Sequence, residues 1–338
     1  MDRLYICHTP YHVLMACEYA LADAKEEGSA DSRRQSILLM DSVGNFEIYA
    51  ERLRNSGLFD RVFTVRHSEA FASWTNTSFY KTLLLLYLSK GPLHRLDFLF
   101  DFDEHFIFND HRDIGALLHR YRIPYHLLED GRDCFKRFDQ NNLPTANRPF
   151  LRKMLKKIFN VPIGMGDSPY CLDIQVNSCE ALKTSVSKPV VERPKDALEA
   201  AMDEKDREVL GQVFPVPAID SSRDYAVLVL TSPMEAHGEE WNEERQLAYY
   251  RDVVEQYPKG DVFLKPHPRD AVDYQSIAGS CRIIDKSIPV EVLNLNPKIS
   301  FDYAVAYLST ALPAIRNCKH KISLCAISGG DAATTQGE

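Results

Sequence analysis

An α/β protein built from two parallel-sheet domains is predicted by three observations in this 338-residue chain. Short β-rich runs alternate with helical patterns through the first 130 or so residues. The alternation fades between 140 and 222, where eight prolines fall, and it restarts near Asp224. Strands alternating with helices imply a mainly parallel sheet with helices on its faces. Two such units in one chain predict two Rossmann-like domains facing each other across a cleft, with an N-terminal domain over 1–195, a linker over 196–222 and a C-terminal domain over 223–338. A chain of this length also exceeds what one core comfortably holds.

Taken in order, "RLYICH" predicts a first strand that leads into a helix from about Tyr11, and "SILLM" and "RVFTV" predict the next two strands. "RLDFLF" and "HFIFN" are apolar runs with strand character, "RDIGALLHRYR" has helical spacing, and "PYHLLED" is a strand ending in acids. The proline-rich stretch reads as connection and excursions, with one helix around "ALEAAMDEKDREVLGQVF". "DYAVLVLTS", "DVFLKPHP" and "CRIID" predict strands of the second domain, and "ERQLAYYRDVVEQY" and "VEVLNLN" predict helices. "ISFDYAVAYLSTALPAIRN" predicts a last strand and helix.

Composition bounds the function. With 45% hydrophobic and 26% charged residues the chain is ordinary for a soluble globular protein, and a net charge of −8 argues against a dedicated nucleic-acid binder. The eight cysteines show no C-x-x-C pair or zinc spacing and read as thiols of a reducing cytoplasm. The N-terminus has no basic leader or small-residue cleavage site, so a secretory signal is not expected. "KTLLLLYLS" (81–89) is far shorter than the ~20 residues of a membrane span and reads as a buried helix. "LRKMLKKIF" (151–159) places apolar residues on one helical face and four basic residues on the other. It reads either as an ordinary surface helix or as a peripheral contact with an anionic membrane face.

Polar motifs stand at the ends of three predicted strands, where ligands of such sheets bind. Glu129-Asp130-Gly131 is either a common Asp-Gly turn or a carboxylate held at a cleft mouth to take a proton. Lys265-Pro266-His267-Pro268-Arg269 fixes an imidazole between prolines and sets an ammonium and a guanidinium beside it, which suits a phosphate-bearing ligand. Ser309 and Thr310 fall at a strand-to-helix junction, where hydroxyls cap a helix and its free N–H groups bind anions.

Together these motifs resemble the bacterial sialyltransferases of the GT-B type. The opening "YICHTPYHVLMA" and the strand end "LTSPMEAHG" resemble glycosyltransferase family 52, the lipooligosaccharide sialyltransferases, and polysialyltransferases share the motif set. The resemblance spans roughly residues 3–325, with the strong matches in short islands. It implies an inverting transfer of sialic acid from CMP-sialic acid to a terminal sugar, galactose being expected, of a bacterial surface glycan. It further implies Asp130 as the base that deprotonates the acceptor hydroxyl, His267 at the CMP phosphate, and Ser309 and Thr310 holding that phosphate. Ser232 and Pro233 would line the nucleotide site with Lys265 and Pro268, and Glu129, Gly131, His8 and His12 would lie on the acceptor side. Glu235, also at a strand end, stays open as the alternative base. CMP-sialic acid is the donor substrate and no cofactor or metal is expected; a cytoplasmic enzyme and a homodimer follow from the same resemblance. Alternatives are a hexosyltransferase of the same fold using a donor such as UDP-glucose, or a non-catalytic nucleotide-sugar-binding subunit. Asp101-Phe102-Asp103 imitates a metal-binding Asp-x-Asp but reads better as a solvated turn after a strand.

Overall fold

The computed structural model describes residues 2–26, 34–41, 46–66, 93–110, 113–131, 166–181, 186, 188–220, 222–234, 241–296, 299–307, 309 and 311–324. The chain divides into two compact units, Met1–Val213 and Phe214–Glu338. Each is built around one sheet in which every strand pairing is parallel.

The sheet of the first unit has the order β3-β2-β1-β4-β5-β6-β7. Its strands are β1 (Arg3–Cys7), β2 (Gln35–Asp41), β3 (Arg61–Arg66), β4 (Glu104–Ile107), β5 (Tyr125–Leu128), β6 (Cys171–Val176) and β7 (Val190–Glu192). β1 is central and buried at all five positions: Leu4–Cys7 form the apolar run expected of a strand covered on both faces, and Arg3 is buried against Asp23. From β1 the chain winds outward through β2 and β3, then returns to place β4 on β1's other side. The point of reversal, between β1 and β4, is where such sheets open a crevice at their carboxyl ends.

Helix α1 (Pro10–Glu26) follows β1 directly. Thr9 caps it, its Oγ1 accepting the His12 backbone N–H at 3.2 Å, and Pro10 stands at the first helical position, where its missing N–H costs nothing. Residues 12–21 of α1 are all buried, because the helix packs against β1 and β2 and also against α5 (Lys195–Ala200) and α6 (Glu204–Val213). Among the described residues the remaining helices of this unit are α2 (Phe46–Ser56), α3 (Leu93–Leu96) and α4 (Asp113–Tyr121).

Four readings of the first unit are corrected. "RLDFLF" is not a strand: α3 runs into a 3-10 turn over Asp97–Asp101, and Leu96, Leu99 and Phe102 are the buried residues, at three-residue spacing. The Asp101/Asp103 pair consequently precedes β4 rather than following a strand, so it stands at the amino edge of the sheet, where Asp103 accepts the Asp2 N–H at 2.8 Å. The single helix expected around 197–214 is two, since Asp203 starts a new one: the Asp203 carboxylate accepts from Asp206 N–H and the Asp206 carboxylate from Asp203 N–H, both at 3.0 Å. β6 and β7 also lie within the stretch read as connection and excursions.

The sheet of the second unit has the order β10-β9-β8-β11-β12, from β8 (Tyr225–Leu230), β9 (Gly260–Lys265), β10 (Arg282–Ile283), β11 (Phe301–Tyr307) and β12 (Cys318–Leu324). It repeats the same winding, with the reversal between β8 and β11. Helix α7 (Glu243–Glu255) is capped by Asn242, whose side chain accepts from Arg245 N–H at 2.8 Å, and α8 (Val292–Leu295) is a single turn. After β11 the described residues hold only a 3-10 turn over Leu312–Ala314 in place of the expected helix; Ile315 is already extended, and β12 begins at Cys318. Residues 81–89 and 151–159 lie outside the described residues, and among those described no helix is long and apolar enough to cross a membrane.

A buried ionic clamp secures the first unit. Asp23 of α1 accepts from Arg3 of β1 at 2.8 Å and from Arg193, just past β7, at 2.7 Å, and the Tyr5 hydroxyl adds a contact at 3.2 Å. Removing one partner of such a pair strands the other charges in low dielectric. Asp23→Asn is therefore expected to lower the stability of this unit by roughly 3–5 kcal/mol, read as a lower urea midpoint; an unchanged midpoint would contradict the clamp.

Candidate active site

In the first unit, three neighbouring strands deliver polar groups to one carboxyl edge. His8, Thr9 and His12 follow β1, Phe108 and Asn109 follow β4, and Asp130 follows β5. His12 Nε2 lies 2.6 Å from Asp130 Oδ1, and Asn109 Nδ2 reaches Asp130 Oδ2 at 3.5 Å. The His12 ring is buried and stacks on Phe108 at 4.2 Å with planes 7° apart. Its other nitrogen, Nδ1, accepts the His8 backbone N–H at 3.1 Å. A backbone N–H can only donate, so Nδ1 carries no proton and the ring hydrogen sits on Nε2, pointing at Asp130.

The other acceptor-side residues have local duties. Glu129 accepts the Asn177 N–H at 2.6 Å; burial raises its carboxyl above the ordinary value, and the Asn177 bond and Lys195 oppose that rise. Gly131 has φ of 72°, a conformation open to glycine at no steric cost, so it turns the chain sharply beyond Asp130. Next to Asn109, the buried Asp110 carboxylate accepts from the Tyr125 hydroxyl and the Gly166 N–H, both at 2.8 Å, which fixes the end of β4; burial pushes it up to about 6.

In the second unit the ends of β8 and β9 are tied by one buried carboxylate. Asp270 accepts from the Thr231 hydroxyl at 2.6 Å, from the Tyr274 hydroxyl at 2.8 Å and from the Gln246 amide at 2.9 Å. Thr231 Oγ1 in turn accepts the His267 N–H at 3.0 Å, and Gln246 Oε1 accepts the Met234 N–H at 3.0 Å. His267 Nδ1 accepts the Arg269 N–H at 3.1 Å, so this imidazole too presents its Nε2–H. Burial lowers its pKa below the ordinary value, Arg269 and Lys265 lower it further, and Asp270 partly offsets them. At neutral pH His267 is a neutral hydrogen-bond donor.

Several expected donor-side residues are placed otherwise than the phosphate reading requires. Lys265 is buried, and its ammonium donates to the carbonyls of Pro266 at 2.8 Å and Lys286 at 3.1 Å, which makes it a loop brace. Ser232 is also buried and spends its hydroxyl on the Tyr307 carbonyl at 2.7 Å. Pro268 and Arg269 are exposed and Pro233 is half-buried. Ser309 Oγ accepts the Ala311 N–H at 3.2 Å, capping a turn and not a helix, so the expected helix-terminal anion site has no helix behind it. Thr310 and Glu235 lie outside the described residues.

Sequence reasoning missed Phe108, Asn109, Thr231, Asp270 and Gln246. Only Asp270 left a usable signal, as an acid three residues after His267 in "HPRD". No group of three or more His, Cys, Asp or Glu among the described residues is arranged to hold a metal ion.

Two parallel, doubly wound sheets with polar groups at their carboxyl edges define a GT-B type α/β protein, and comparison with solved structures agrees. An α/β-galactoside α-2,3-sialyltransferase of Photobacterium phosphoreum superposes with a TM-score of 0.53 at 11% identity, covering 95% of this chain and 90% of that one. The GT-B domain of a sialyltransferase from Photobacterium damselae gives 0.55 at 14% identity, with the same coverage. A 202-residue stretch is 24% identical to an uncharacterized protein of Haemophilus influenzae, over 58% of this chain and 60% of that protein, less than two thirds of its length. Residues 32–328 match the profile of glycosyltransferase family 52, and the chain belongs to that family.

The buried ammonium makes a stability prediction. Desolvation lowers Lys265 from 10.5 to about 8. Between about pH 8 and 10 the unfolded chain keeps this proton and the folded chain sheds it, so raising the pH favours folding. Wild-type stability should therefore rise across that window relative to Lys265→Met; parallel curves for the two proteins would show that Lys265 is not buried as described.

Proposed function

We propose that this chain is an inverting sialyltransferase that moves sialic acid from CMP-sialic acid to a terminal sugar, galactose, of a bacterial surface glycan such as lipooligosaccharide. The observation that carries the reading is Asp130: a carboxylate at the switch-point edge of a GT-B sheet, held by a histidine whose proton is fixed toward it. Membership of family 52 and the sialyltransferase folds of two structural neighbours support it.

Asp130 takes the proton of the acceptor hydroxyl as that oxygen attacks the anomeric carbon of the sialyl group. The bond from that carbon to the phosphate oxygen breaks, its electron pair leaves with CMP, and the configuration inverts. His267 donates Nε2–H to the departing phosphate, a contact that strengthens as negative charge grows on that oxygen. Thr231 and Asp270 keep His267 in place, and Ser309 and Thr310 lie along the same phosphate. Arg269, exposed beside His267, supplies the cation that Lys265 does not. No metal enters this reading: Asp101 and Asp103 stand at the amino edge of their sheet, away from Asp130 at the carboxyl edge. The enzyme works in the cytoplasm as a homodimer, and the basic amphipathic stretch 151–159 rests it on the inner membrane face when the acceptor is lipid-linked.

The test of the donor is thermal. CMP should raise the melting midpoint more than UMP or UDP does, because only a ligand of the native state stabilises it by mass action. A response to UDP and none to CMP would replace sialic acid with a hexose donor. Transfer should persist in EDTA; a loss restored by magnesium or manganese would revive a metal-dependent reading.

The test of the base is a pair of isosteric changes. Asp130→Asn should lower turnover by at least ~10² while leaving CMP stabilisation intact, and Glu235→Gln should be the milder of the two. Near-normal transfer by a folded Asp130→Asn protein beside an inactive Glu235→Gln would hand the role to Glu235. His267→Ala should lower turnover by roughly 10²–10⁴; wild-type kinetics there would remove the second unit's histidine from the mechanism.

A further inference from the structure

We propose that His12 is a positioning residue for the base: through Nε2–H it holds Asp130 Oδ1 and so orients the carboxylate for the acceptor hydroxyl. The inference rests on Asp130 being the base, and it deepens that reading by giving the carboxylate a fixed orientation and a partner.

Four contacts immobilise the imidazole. Thr9 caps the turn that carries it, with the His12 N–H on Thr9 Oγ1 at 3.2 Å. The His8 N–H occupies Nδ1 at 3.1 Å, Phe108 stacks on the ring face at 4.2 Å, and Asp130 receives Nε2–H at 2.6 Å. Because Nδ1 is held by a donor, the ring cannot accept a second proton there without losing the His8 bond, so His12 has no site for a proton arriving from Asp130. It therefore holds the carboxylate throughout the cycle, before and after Asp130 takes the acceptor's proton.

The charged and titratable groups around Asp130 are identifiable. From the entry to α1 come His8 and His12, whose ring centres are 6.3 Å apart. The end of β4 contributes Asn109 and, beyond it, the buried Asp110. Glu129 precedes Asp130 and is engaged by Asn177, and Lys195 of α5 lies beside Glu129 with its ammonium 5.4 Å from the Tyr11 ring centre. Of these, His12 makes the short bond to Asp130, and a donor to a carboxylate favours its ionised form.

The experiment compares two substitutions in the full-length protein. His12→Phe keeps a flat ring against Phe108 and removes the donor; His12→Gln places an amide N–H near the position of Nε2. His12→Phe should lower kcat by about 10–100-fold with the KM for donor nearly unchanged. It should also move the acidic limb of the kcat–pH profile upward by about one unit, as expected when a carboxylate loses a charge-assisted bond. His12→Gln should recover much of the rate and most of the limb position. Equal losses in both variants with an unmoved limb would mean that His12 only packs, and wild-type behaviour of His12→Phe would overturn the proposal outright. Should His12→Phe fail to fold, nitrogen NMR of the wild-type imidazole decides: a protonated Nε2 with an unprotonated Nδ1 is expected, and the opposite tautomer or a doubly protonated ring overturns it. An inactive Asp130→Asn beside a wild-type-like His12→Phe would sink this inference alone, whereas an active Asp130→Asn would sink the base and His12's role together.

Discussion

A 2.6 Å hydrogen bond joins His12 to Asp130 across 118 positions of sequence, and much of the first unit can be understood as arranging it. The bond needs α1 to leave β1 at a fixed angle and β5 to end at a fixed height. Thr9 and Pro10 meet the first need, because the cap and the preset proline φ start the helix in the first residues beyond β1. Gly131 meets the second by taking φ of 72° directly after Asp130, which ends the extended run. Behind them, Asp23 binds β1, α1 and the segment past β7 through Arg3 and Arg193, so the helix cannot slide on the sheet without breaking two buried ion pairs.

The second unit solves a related problem with a carboxylate used for structure. Asp270 collects donors from the end of β8, from α7 and from the segment after β9, and through Thr231 it fixes the backbone of His267. Both histidines also have Nδ1 occupied by a nearby backbone N–H, from His8 in one case and Arg269 in the other. The shared device fixes the tautomer at no cost in charge. A free imidazole otherwise exchanges between two tautomers, which donate from opposite edges of the ring.

The strands that carry this chemistry were legible because their apolar runs end abruptly in polar residues: "YHLLED", "LVLTS" and "FLKPHP" each mark a carboxyl edge. What failed to show is explained by exposure and spacing. β12, "CKHKISL", is an edge strand whose exposed positions include Lys319, His320 and Lys321, so no hydrophobic run announces it. β7 is three residues long between Pro189 and Pro194, and the three-residue period of Leu96, Leu99 and Phe102 is masked by the apolar Phe98 and Phe100 between them. At the site, Glu129-Asp130-Gly131 and His267 were visible as motifs and His12 as an acceptor-side residue, but the contact between His12 and Asp130 was not. Its two partners lie 118 positions apart, and no local pattern joins them. Lys265 misled for the opposite reason, since sequence gives the charge and not the direction in which the side chain leaves its strand.

That direction bears on how an anion would be held. An ammonium aimed at a phosphate gives a strong, salt-sensitive contact, whereas Lys265 is folded back on two carbonyls and contributes rigidity to the His267 loop. The contact that remains is a neutral Nε2–H, with the exposed Arg269 beside it. A neutral donor gains most when negative charge grows on its acceptor, as it does on a phosphate oxygen whose bond to carbon is breaking, and gains least in the ground state. In the proposed reaction, burying the lysine would therefore shift the recognition of phosphate from initial attraction toward the step in which the phosphate departs. On the other unit the same logic holds for Asp130: an orienting neutral histidine leaves the carboxylate its charge, and with it the capacity to take a proton.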